Sequence, residues 1–307
     1  MEAPLVSICC LTYNHAQFIR KCLDGFLMQQ TDFPIEILIH DDCSTDGTTD
    51  IIREYEAKYP ELIFPLYEEE NQYSRGGAGK MDLYNYSRAR GKYIAYCEGD
   101  DYWTDPLKLQ KQVDFMEVNP EYSVCFHNYE EYDVRTNNRQ SATNTLKFTD
   151  DSNGVDISTK LYFENSNNCR PLTMLFRFSC FNFDWRERYK YYRDTHEIYH
   201  LLNEGNGRYL NFVGGVYNKH DGGVSSSISM SDSLNIVRHS FEELYLNNIH
   251  DGILFNHLRK TLLWNYKYCS RKDFIIIFIT SLFKTPIVSC YVLFIILKRK
   301  FKTLIYK

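Results

Sequence analysis

Apolar and polar positions in the first 130 residues follow two alternating patterns. Short, mostly apolar runs predict buried strands, at residues 5–12, 35–40, 62–67, 93–97 and 122–127. Between these runs, apolar residues recur at helical spacing, as at Phe18, Cys22 and Phe26, and again over residues 107–118. Strands that alternate with helices are typical of βαβ units. We therefore predict an α/β fold with a mostly parallel, Rossmann-like central sheet.

The pattern after residue 130 is less regular. Residues 136–156 are rich in Asn, Thr, Ser and Asp, which predicts a surface loop or a hairpin. Residues 173–177 and 209–216 are predicted strands, and the pattern from residue 230 to about 268 is helical. We expect one domain over residues 1–228, with halves 1–130 and 131–228, and a helical extension over residues 229–307.

The last part of this extension, residues 274–302, differs in composition from the rest. Two almost wholly apolar runs, 274–283 and 287–297, are separated by Lys284-Thr285-Pro286 and followed by a basic run over 298–302. A spanning helix needs about 20 apolar residues, and the lysine and proline interrupt this stretch at its centre. A pair of helices on the membrane surface, held by basic residues on anionic lipid, fits better. A buried hairpin and a true span are the alternatives.

Charge and cysteine content narrow the class of protein. The formal net charge of −5 makes nucleic acid an unexpected partner. None of the ten cysteines belongs to a CxxC pair or to a zinc-type cluster, which indicates free, mostly buried thiols in a reducing cytoplasm. The first residues lack a basic n-region and a cleavage site, so we expect no secretion signal.

Polar and acidic residues follow three of the predicted strands. The first strand ends in Thr12-Tyr13-Asn14, the second in Asp41-Asp42, and the fourth in Glu98-Gly99-Asp100-Asp101. Ligands of open α/β sheets bind outside the carboxyl ends of the strands, where these segments can meet. Crowded carboxylates repel one another unless a cation lies between them, and a hard divalent ion on phosphate oxygens is the usual solution. The alternative is that the acids only cap the following helices.

These segments resemble those of the family 2 glycosyltransferases, which have the GT-A nucleotide-sugar fold. The resemblance is carried by residues 6–14 (VSICCLTYN), 41–48 (DDCSTDGT) and 91–106 (GKYIAYCEGDDYWTDP), and it covers about residues 4–225. It implies a nucleotide-diphosphate sugar donor, most commonly a UDP-sugar, and Mg²⁺ or Mn²⁺ as cofactor. It also implies inversion at the anomeric carbon.

The resemblance assigns roles to residues of the first half. Thr12 and Tyr13 would line the nucleobase pocket, and Asp42 would bind the base or the ribose. Asp100 would be the direct metal ligand, with Asp101 supporting it. Glu98 stands where the family commonly has Asp, so its contact with ribose or metal-bound water is expected to differ.

The resemblance also assigns residues of the second half. Asp194 would be the catalytic base at the start of a helix, with a helix N-cap as the alternative. His220 would ligate the metal or contact the diphosphate, with a turn-stabilising hydrogen bond as the alternative. Asn218 departs from the family's frequent Arg, which weakens the phosphate contact expected there.

The expected function is therefore metal-dependent, inverting sugar transfer to a saccharide or lipid-linked acceptor in cell-surface polysaccharide synthesis. The enzyme would lie peripherally on the inner face of a bacterial plasma membrane. A nucleotidyltransferase is one alternative, but residues 14–17 lack its Gly-rich, basic signature. A non-catalytic membrane-associated module is another, and the joint presence of Asp42, Asp100, Asp101 and Asp194 argues against it.

Overall fold

The computed structural model describes residues 3–77, 81–142, 154–164, 169–223 and 229–305. The chain forms two compact units. Residues 1–186 and 197–220 form the first, and residues 187–196 and 221–307 form the second.

The first unit is built on one mixed sheet, whose path of strands is β3-β2-β1-β4-β9-β6-β10-β5, with β7 beside β6 and β8 beside β10. The strands are β1 Val6–Thr12, β2 Ile35–Asp41, β3 Ile63–Tyr67, β4 Tyr93–Glu98, β5 Tyr102–Trp103, β6 Tyr122–Asp133, β7 Asn138–Ser141, β8 Gly154–Ile157, β9 Leu175–Arg177 and β10 Asn206–Lys219. The pairs β1–β2, β2–β3, β1–β4 and β6–β10 are parallel. The five strands predicted before residue 130 are confirmed, and so is the α/β class of the fold. The other five strand pairs are antiparallel, so the sheet as a whole is mixed rather than mostly parallel.

Helices flank this sheet. Those of the first unit and its borders are α1 Ile19–Leu27, α2 Thr48–Lys58, α3 Leu83–Tyr86, α4 Lys108–Val118, α5 Thr159–Glu164, α6 Phe183–Glu187 and α7 Asp194–Glu204. The strands β1 and β4 are buried on both faces, which explains why their sequences are continuous apolar runs rather than alternating ones. The predicted helix reaching about residue 90 is shorter, since α3 ends at Tyr86. The predicted hairpin forms in part as β6–β7, and residues 143–153 lie outside the described residues.

The helical part of the second unit contains α8 Met230–Asn247, α9 Gly252–Tyr268, α10 Arg271–Lys284 and α11 Pro286–Ile305. Polar caps divide them: Ser229, Asp251 and Ser270 each accept a hydrogen bond from a backbone N–H of the following helix. The helical prediction for 230–268 is therefore confirmed as two helices. Within the described part of the chain, none of the helices combines the length and the apolar character that a membrane crossing requires.

Lys108 is an unusual feature of the core. Its ammonium is buried, lies 3.8 Å from the centre of the Trp103 ring, and has no hydrogen-bond partner among the described residues. Burial lowers the pKa of Lys108 to about 7. The folded protein therefore binds this proton less tightly than the unfolded chain does, because an unfolded lysine titrates near 10.4.

We expect Lys108→Met to stabilise the protein below pH 7, by up to about 4 kcal/mol. Between about pH 10 and pH 7 the lysine is protonated in the unfolded chain but neutral in the folded protein. The free energy of unfolding of the wild type therefore falls as the pH drops through this range. The advantage of the variant should therefore shrink between pH 7 and pH 10, in denaturant titrations at several pH values. Lys111→Met is the matched control. Lys111 lies on the same helix as Lys108, but its ammonium is partly exposed and pairs with Asp105 at 2.6 Å. An advantage of Lys108→Met that does not change with pH would contradict the assignment.

Candidate active site at the carboxyl edge of the sheet

Three of the predicted functional segments follow neighbouring parallel strands. β1 lies between β2 and β4, so that Thr12 pairs with Asp41 on one side and Leu11 with Glu98 on the other. The carboxyl ends of the three strands therefore lie side by side. The loops after β1 and β2 are joined by hydrogen bonds, among them Asn14 N–H to Ser44 Oγ at 2.8 Å and Ala16 N–H to Asp46 Oδ2 at 2.9 Å.

The end of β4 carries an acidic cluster. Glu98, Asp100 and Asp101 each place one carboxylate oxygen within 4.8 Å of the others. Glu98 is exposed, whereas Asp101 is almost completely buried. Burial, together with the charges of Asp100 and Glu98, raises the pKa of Asp101 well above its usual value. The neighbouring carboxylates thus disfavour the ionised form of Asp101.

Asp100 is the second acid of this cluster, and one of its carboxylate oxygens accepts no hydrogen bond from the described residues. Its Oδ1 is buried and has no hydrogen-bond partner among the described residues. A buried carboxylate oxygen without a partner costs desolvation free energy, and oxygen ligands are those that Mg²⁺ and Mn²⁺ prefer. The residues present therefore fit a divalent cation.

Two histidines lie beside the other oxygen of Asp100. Nε2 of His220 is 3.0 Å and Nε2 of His15 is 3.8 Å from Oδ2 of Asp100. Burial opposes ionisation of Asp100, but the hydrogen bond with His220 and the charge of His15 outweigh it and lower the pKa of that carboxyl group. Burial lowers the pKa of His15, and the charge of Asp100 partly opposes that shift. The structure therefore brings His220 to Asp100, and its role as a metal ligand stays a prediction.

Asn218 holds the acidic cluster in place from the end of β10. Its backbone N–H donates to Oδ1 of Asp101 at 2.8 Å, and its side-chain amide donates to the backbone carbonyl of Asp100. The sequence alone marked Asn218 only as a departure from the family's Arg. The short side chain at this position contacts the turn that carries the acids, and this role was missed.

Gly99 separates Glu98 from the two aspartates, and its lack of a side chain is required. A Cβ at this position would lie 2.6 Å from Oγ1 of Thr12. That hydroxyl is itself 3.2 Å from Nδ1 of His15. Thr12 therefore supports the turn and the histidine, in addition to the place in the nucleobase pocket that the resemblance implies.

Asp42 and Tyr13 directly follow β2 and β1 at this edge of the sheet. Asp42 is buried, and its two carboxylate oxygens accept the backbone N–H groups of Gln72 at 2.7 Å and Tyr73 at 3.0 Å. Its own N–H donates to the carbonyl of Thr12 at 3.0 Å. Asp42 thus fixes the segment that follows β3. The Tyr13 ring is 44% exposed, which leaves it available for stacking on a base.

We expect Asp42→Ala to weaken binding of uridine diphosphate at least tenfold, because two backbone amides lose their acceptor and the 71–73 segment loses its anchor. Calorimetric titration measures the change. Asp50→Ala, which removes an exposed acid of α2, is the control. Unchanged binding by the Asp42 variant would show that the carboxylate and its loop are not part of the nucleotide site.

Asp41, directly before Asp42, has a different role. Its carboxylate accepts hydrogen bonds from the hydroxyl groups of Ser44 and Thr49, and it is buried. These contacts close the turn that leads into α2. Asp41 is the last residue of β2 and Asp42 follows it, and the two adjacent aspartates serve different partners.

Asp194 is the first residue of α7, and it is half-buried in the second unit. Its Oδ1 accepts the N–H of Thr195 at 2.8 Å, as an acid at the start of a helix does. Its role as the catalytic base stays a prediction. In the first unit, the same helix continues with the buried Glu197, which accepts a hydrogen bond from the hydroxyl of Tyr86 at 2.9 Å.

A mixed sheet with an acidic cluster at the end of its fourth strand is the architecture of the GT-A class. Among solved structures, TarS of Staphylococcus aureus (residues 1–349, in complex with UDP-GlcNAc) is similar, with a TM-score of 0.59 and 18% identity over 86% of this chain and 73% of that one. A mannosyltransferase of Pyrobaculum calidifontis, in complex with GDP-Man and Mn²⁺, has a TM-score of 0.50 and 15% identity, over 95% and 86% of the two chains. These similarities establish the fold.

The family follows from the sequence comparison. The model of glycosyl transferase family 2 matches residues 7–192, and the chain therefore belongs to this family. The uncharacterized protein Rv1520 of Mycobacterium tuberculosis is 51% identical over 122 residues, which is 40% of this chain and 34% of that protein. The UDP-Glc:alpha-D-GlcNAc-diphosphoundecaprenol beta-1,3-glucosyltransferase WfaP of Escherichia coli is 36% identical over 128 residues, 42% and 46% of the two chains. The matches thus span less than half of either relative.

Proposed function

We propose that this protein transfers a sugar from a nucleotide-diphosphate sugar to a saccharide or lipid-linked acceptor, with inversion at the anomeric carbon. The observation that carries the proposal is the acidic cluster at the same sheet edge as Tyr13 and Asp42. Its central carboxylate has a buried oxygen that no described residue contacts by a hydrogen bond. Family membership supplies the reaction class.

The proposed cofactor is Mg²⁺ or Mn²⁺. Asp100 would hold it directly, with His220 and Glu98 beside it and Asp101 in support. The mannosyltransferase with a similar fold was solved with Mn²⁺. When bound, a divalent cation neutralises the negative charge that develops on a departing nucleoside diphosphate.

The proposed donor is a UDP-sugar, either a UDP-hexose or a UDP-N-acetylhexosamine. The name of WfaP gives UDP-Glc as its donor, and TarS was solved with UDP-GlcNAc. In this chain the half-exposed ring of Tyr13 offers a stacking surface for the base. Asp42 orders the adjoining loop through two backbone amides, and its carboxylate would accept a further hydrogen bond from the base or the ribose.

The proposed proton acceptor is Asp194. Its carboxylate would take the proton of the acceptor hydroxyl as that oxygen attacks the anomeric carbon from the face opposite the diphosphate. General-base help of this type contributes about 10²–10⁴-fold in rate. The hydrogen bond from Thr195 N–H keeps one carboxylate oxygen oriented at the start of α7.

The proposed acceptor is a saccharide carried on a membrane lipid, in the synthesis of a cell-surface polysaccharide. The name of WfaP states a diphosphoundecaprenol-linked acceptor. The apolar and basic sequence of residues 274–302 is consistent with such an acceptor. We propose that the protein works peripherally on the inner face of a bacterial plasma membrane.

A donor panel tests this function. UDP-Glc, UDP-Gal, UDP-GlcNAc and GDP-Man are each incubated with the full chain and with Mn²⁺, Mg²⁺ or EDTA, and release of the nucleoside diphosphate is measured. We expect release from at least one UDP-sugar that EDTA abolishes. No binding or release with any nucleotide sugar would favour the non-catalytic module, and preference for a nucleoside triphosphate would favour a nucleotidyltransferase.

A further inference from the structure

The helices α10 and α11 of the second unit are apolar on two sides, and only one of these sides is buried. The buried side includes Ile277, Val288 and Val292, which are between 0% and 5% exposed. The other side carries a continuous set of large apolar residues that face solvent. We call this set the tail face: Ile275, Ile276, Ile279, Phe283, Ile287 and Phe294.

The orientation of α10 is fixed by polar contacts on its buried side. The Ser281 hydroxyl donates to the carboxylate of Glu242 on α8, and both residues are buried. Glu242 in turn accepts a hydrogen bond from Arg238 at 2.7 Å. Rotating α10 to bury the tail face would remove the Ser281 hydrogen bond from this buried carboxylate, which is costly. The exposure of the tail face is therefore a property of the packed helices.

Exposure is greatest where the two helices meet. Phe283 is 85% exposed and Ile287 is 71% exposed, at the end of α10 and the start of α11. Soluble monomers seldom expose contiguous apolar patches larger than a few hundred Å², and larger ones mark interaction sites. The six exposed residues of the tail face therefore indicate an interaction site.

The charges around the tail face identify the chemistry of this partner. Arg271, Lys272, Lys284 and Lys298 are exposed on the same two helices. Asp273 is the one acidic residue between positions 271 and 302. A second copy of the chain, related by a two-fold axis, would bring these like charges together. An anionic surface would instead be attracted.

The aromatic residues nearby agree with a lipid partner. Trp264 and Tyr268 of α9 are 62% and 53% exposed. Tryptophan and tyrosine are enriched at the boundary between lipid headgroups and acyl chains, because their rings are apolar at one end and polar at the other. Neither α10 nor α11 meets the requirements for a spanning helix.

We propose that the tail face inserts into the headgroup–acyl boundary of an anionic bilayer, with Phe283 and Ile287 in the acyl region and the surrounding basic residues on the headgroups. This inference rests on the peripheral location that is part of the proposed function, and it specifies the surface and the lipid. Both helices lie in the plane of the membrane and do not cross it.

Vesicle flotation of the full chain tests the inference. One set of vesicles is phosphatidylcholine alone, and the other contains equal parts of phosphatidylcholine and phosphatidylglycerol. We expect wild-type protein to float with the anionic vesicles only. Phe283→Glu combined with Ile287→Glu should weaken binding by at least about a hundredfold, because the two apolar side chains that would enter the acyl region are lost. Val118→Glu, at an apolar residue of α4 that is 80% exposed, is the matched control and should float like wild type.

A second variant tests the electrostatic part separately. Lys284→Gln combined with Lys298→Gln should weaken binding to anionic vesicles by about fivefold per residue. The deficit should disappear at high salt, because screening removes the attraction in wild type as well.

Two controls separate this inference from the proposed function. Asp100→Ala should float like wild type, and the Phe283/Ile287 variant should still release nucleoside diphosphate in solution. The inference is overturned if wild type fails to float with anionic vesicles, or floats equally well with neutral ones. It is also overturned if light scattering shows a dimer in solution that the Phe283/Ile287 variant converts to a monomer, because a second copy would then cover the tail face.

Discussion

Asp100→Ala is expected to abolish metal-dependent release of nucleoside diphosphate, with a loss of at least about a thousandfold in kcat/KM. The variant removes both oxygens of the central carboxylate, including the buried Oδ1 that has no partner among the described residues. The remaining acids cannot replace it. Asp101 is buried and already accepts the N–H of Asn218, and Glu98 is exposed at the rim.

Measurement of metal binding separates this loss from a general defect. Wild-type protein titrated with Mn²⁺ should show a site that is absent in Asp100→Ala, by calorimetry or by the Mn²⁺ spin-resonance signal. Asp50→Ala, at an exposed acid of α2, controls for removal of a negative charge elsewhere in the unit. Asp100→Asn keeps the shape of the side chain and removes the charge, so it should resemble the alanine variant. Normal turnover by either Asp100 variant would refute the assignment of the metal ligand.

Short-range patterns in the sequence were sufficient for the parallel half of the sheet. β1, β2 and β4 are buried on both faces, and such strands appear as uninterrupted apolar runs that are easy to locate. The neighbouring positions of Tyr13, Asp42 and Asp100 follow from this half, because parallel strands in one sheet end at one edge. For this reason the place of the candidate site was predictable.

The contacts that complete the acidic cluster were not predictable from local patterns. His220 and Asn218 reach Asp100 because β10 pairs with β5 and β6, strands that lie far from it in sequence. The β6–β10 pair also contains register shifts, which local periodicity does not encode. β5 has only two residues and gives no periodic signal.

Functional and structural acids were also difficult to separate from sequence. Asp41 and Asp42 are adjacent and identical in type, yet Asp41 closes a turn onto Ser44 and Thr49 while Asp42 anchors the 71–73 segment. Asp41 is the last residue of β2, and Asp42 follows it. Their sequence positions do not show which loops lie beside each carboxylate, since this depends on the path of the chain after β3.

Asp194→Asn is expected to reduce kcat by about 10²–10⁴-fold while leaving the affinity for the nucleoside diphosphate unchanged. The amide cannot accept the proton of the attacking hydroxyl at neutral pH. Its carbonyl oxygen can still accept the N–H of Thr195, so that the start of α7 should remain folded. Sugar transfer to the acceptor and calorimetric binding of UDP with Mn²⁺ measure the two quantities separately.

Asp184→Asn provides the matched control, because Asp184 is an exposed acid in the first turn of α6. A role limited to helix capping predicts a different outcome, in which Asp194→Asn lowers thermal stability but retains wild-type kcat below the unfolding temperature. That result would remove Asp194 from the mechanism. If Asp194→Asn instead loses kcat but keeps its stability and its affinity for UDP, Asp194 is the group that takes the proton. If Asp100→Ala loses metal binding and turnover together, Asp100 is the group that holds the cation of the leaving group. The two carboxylates would then have separate roles in the reaction.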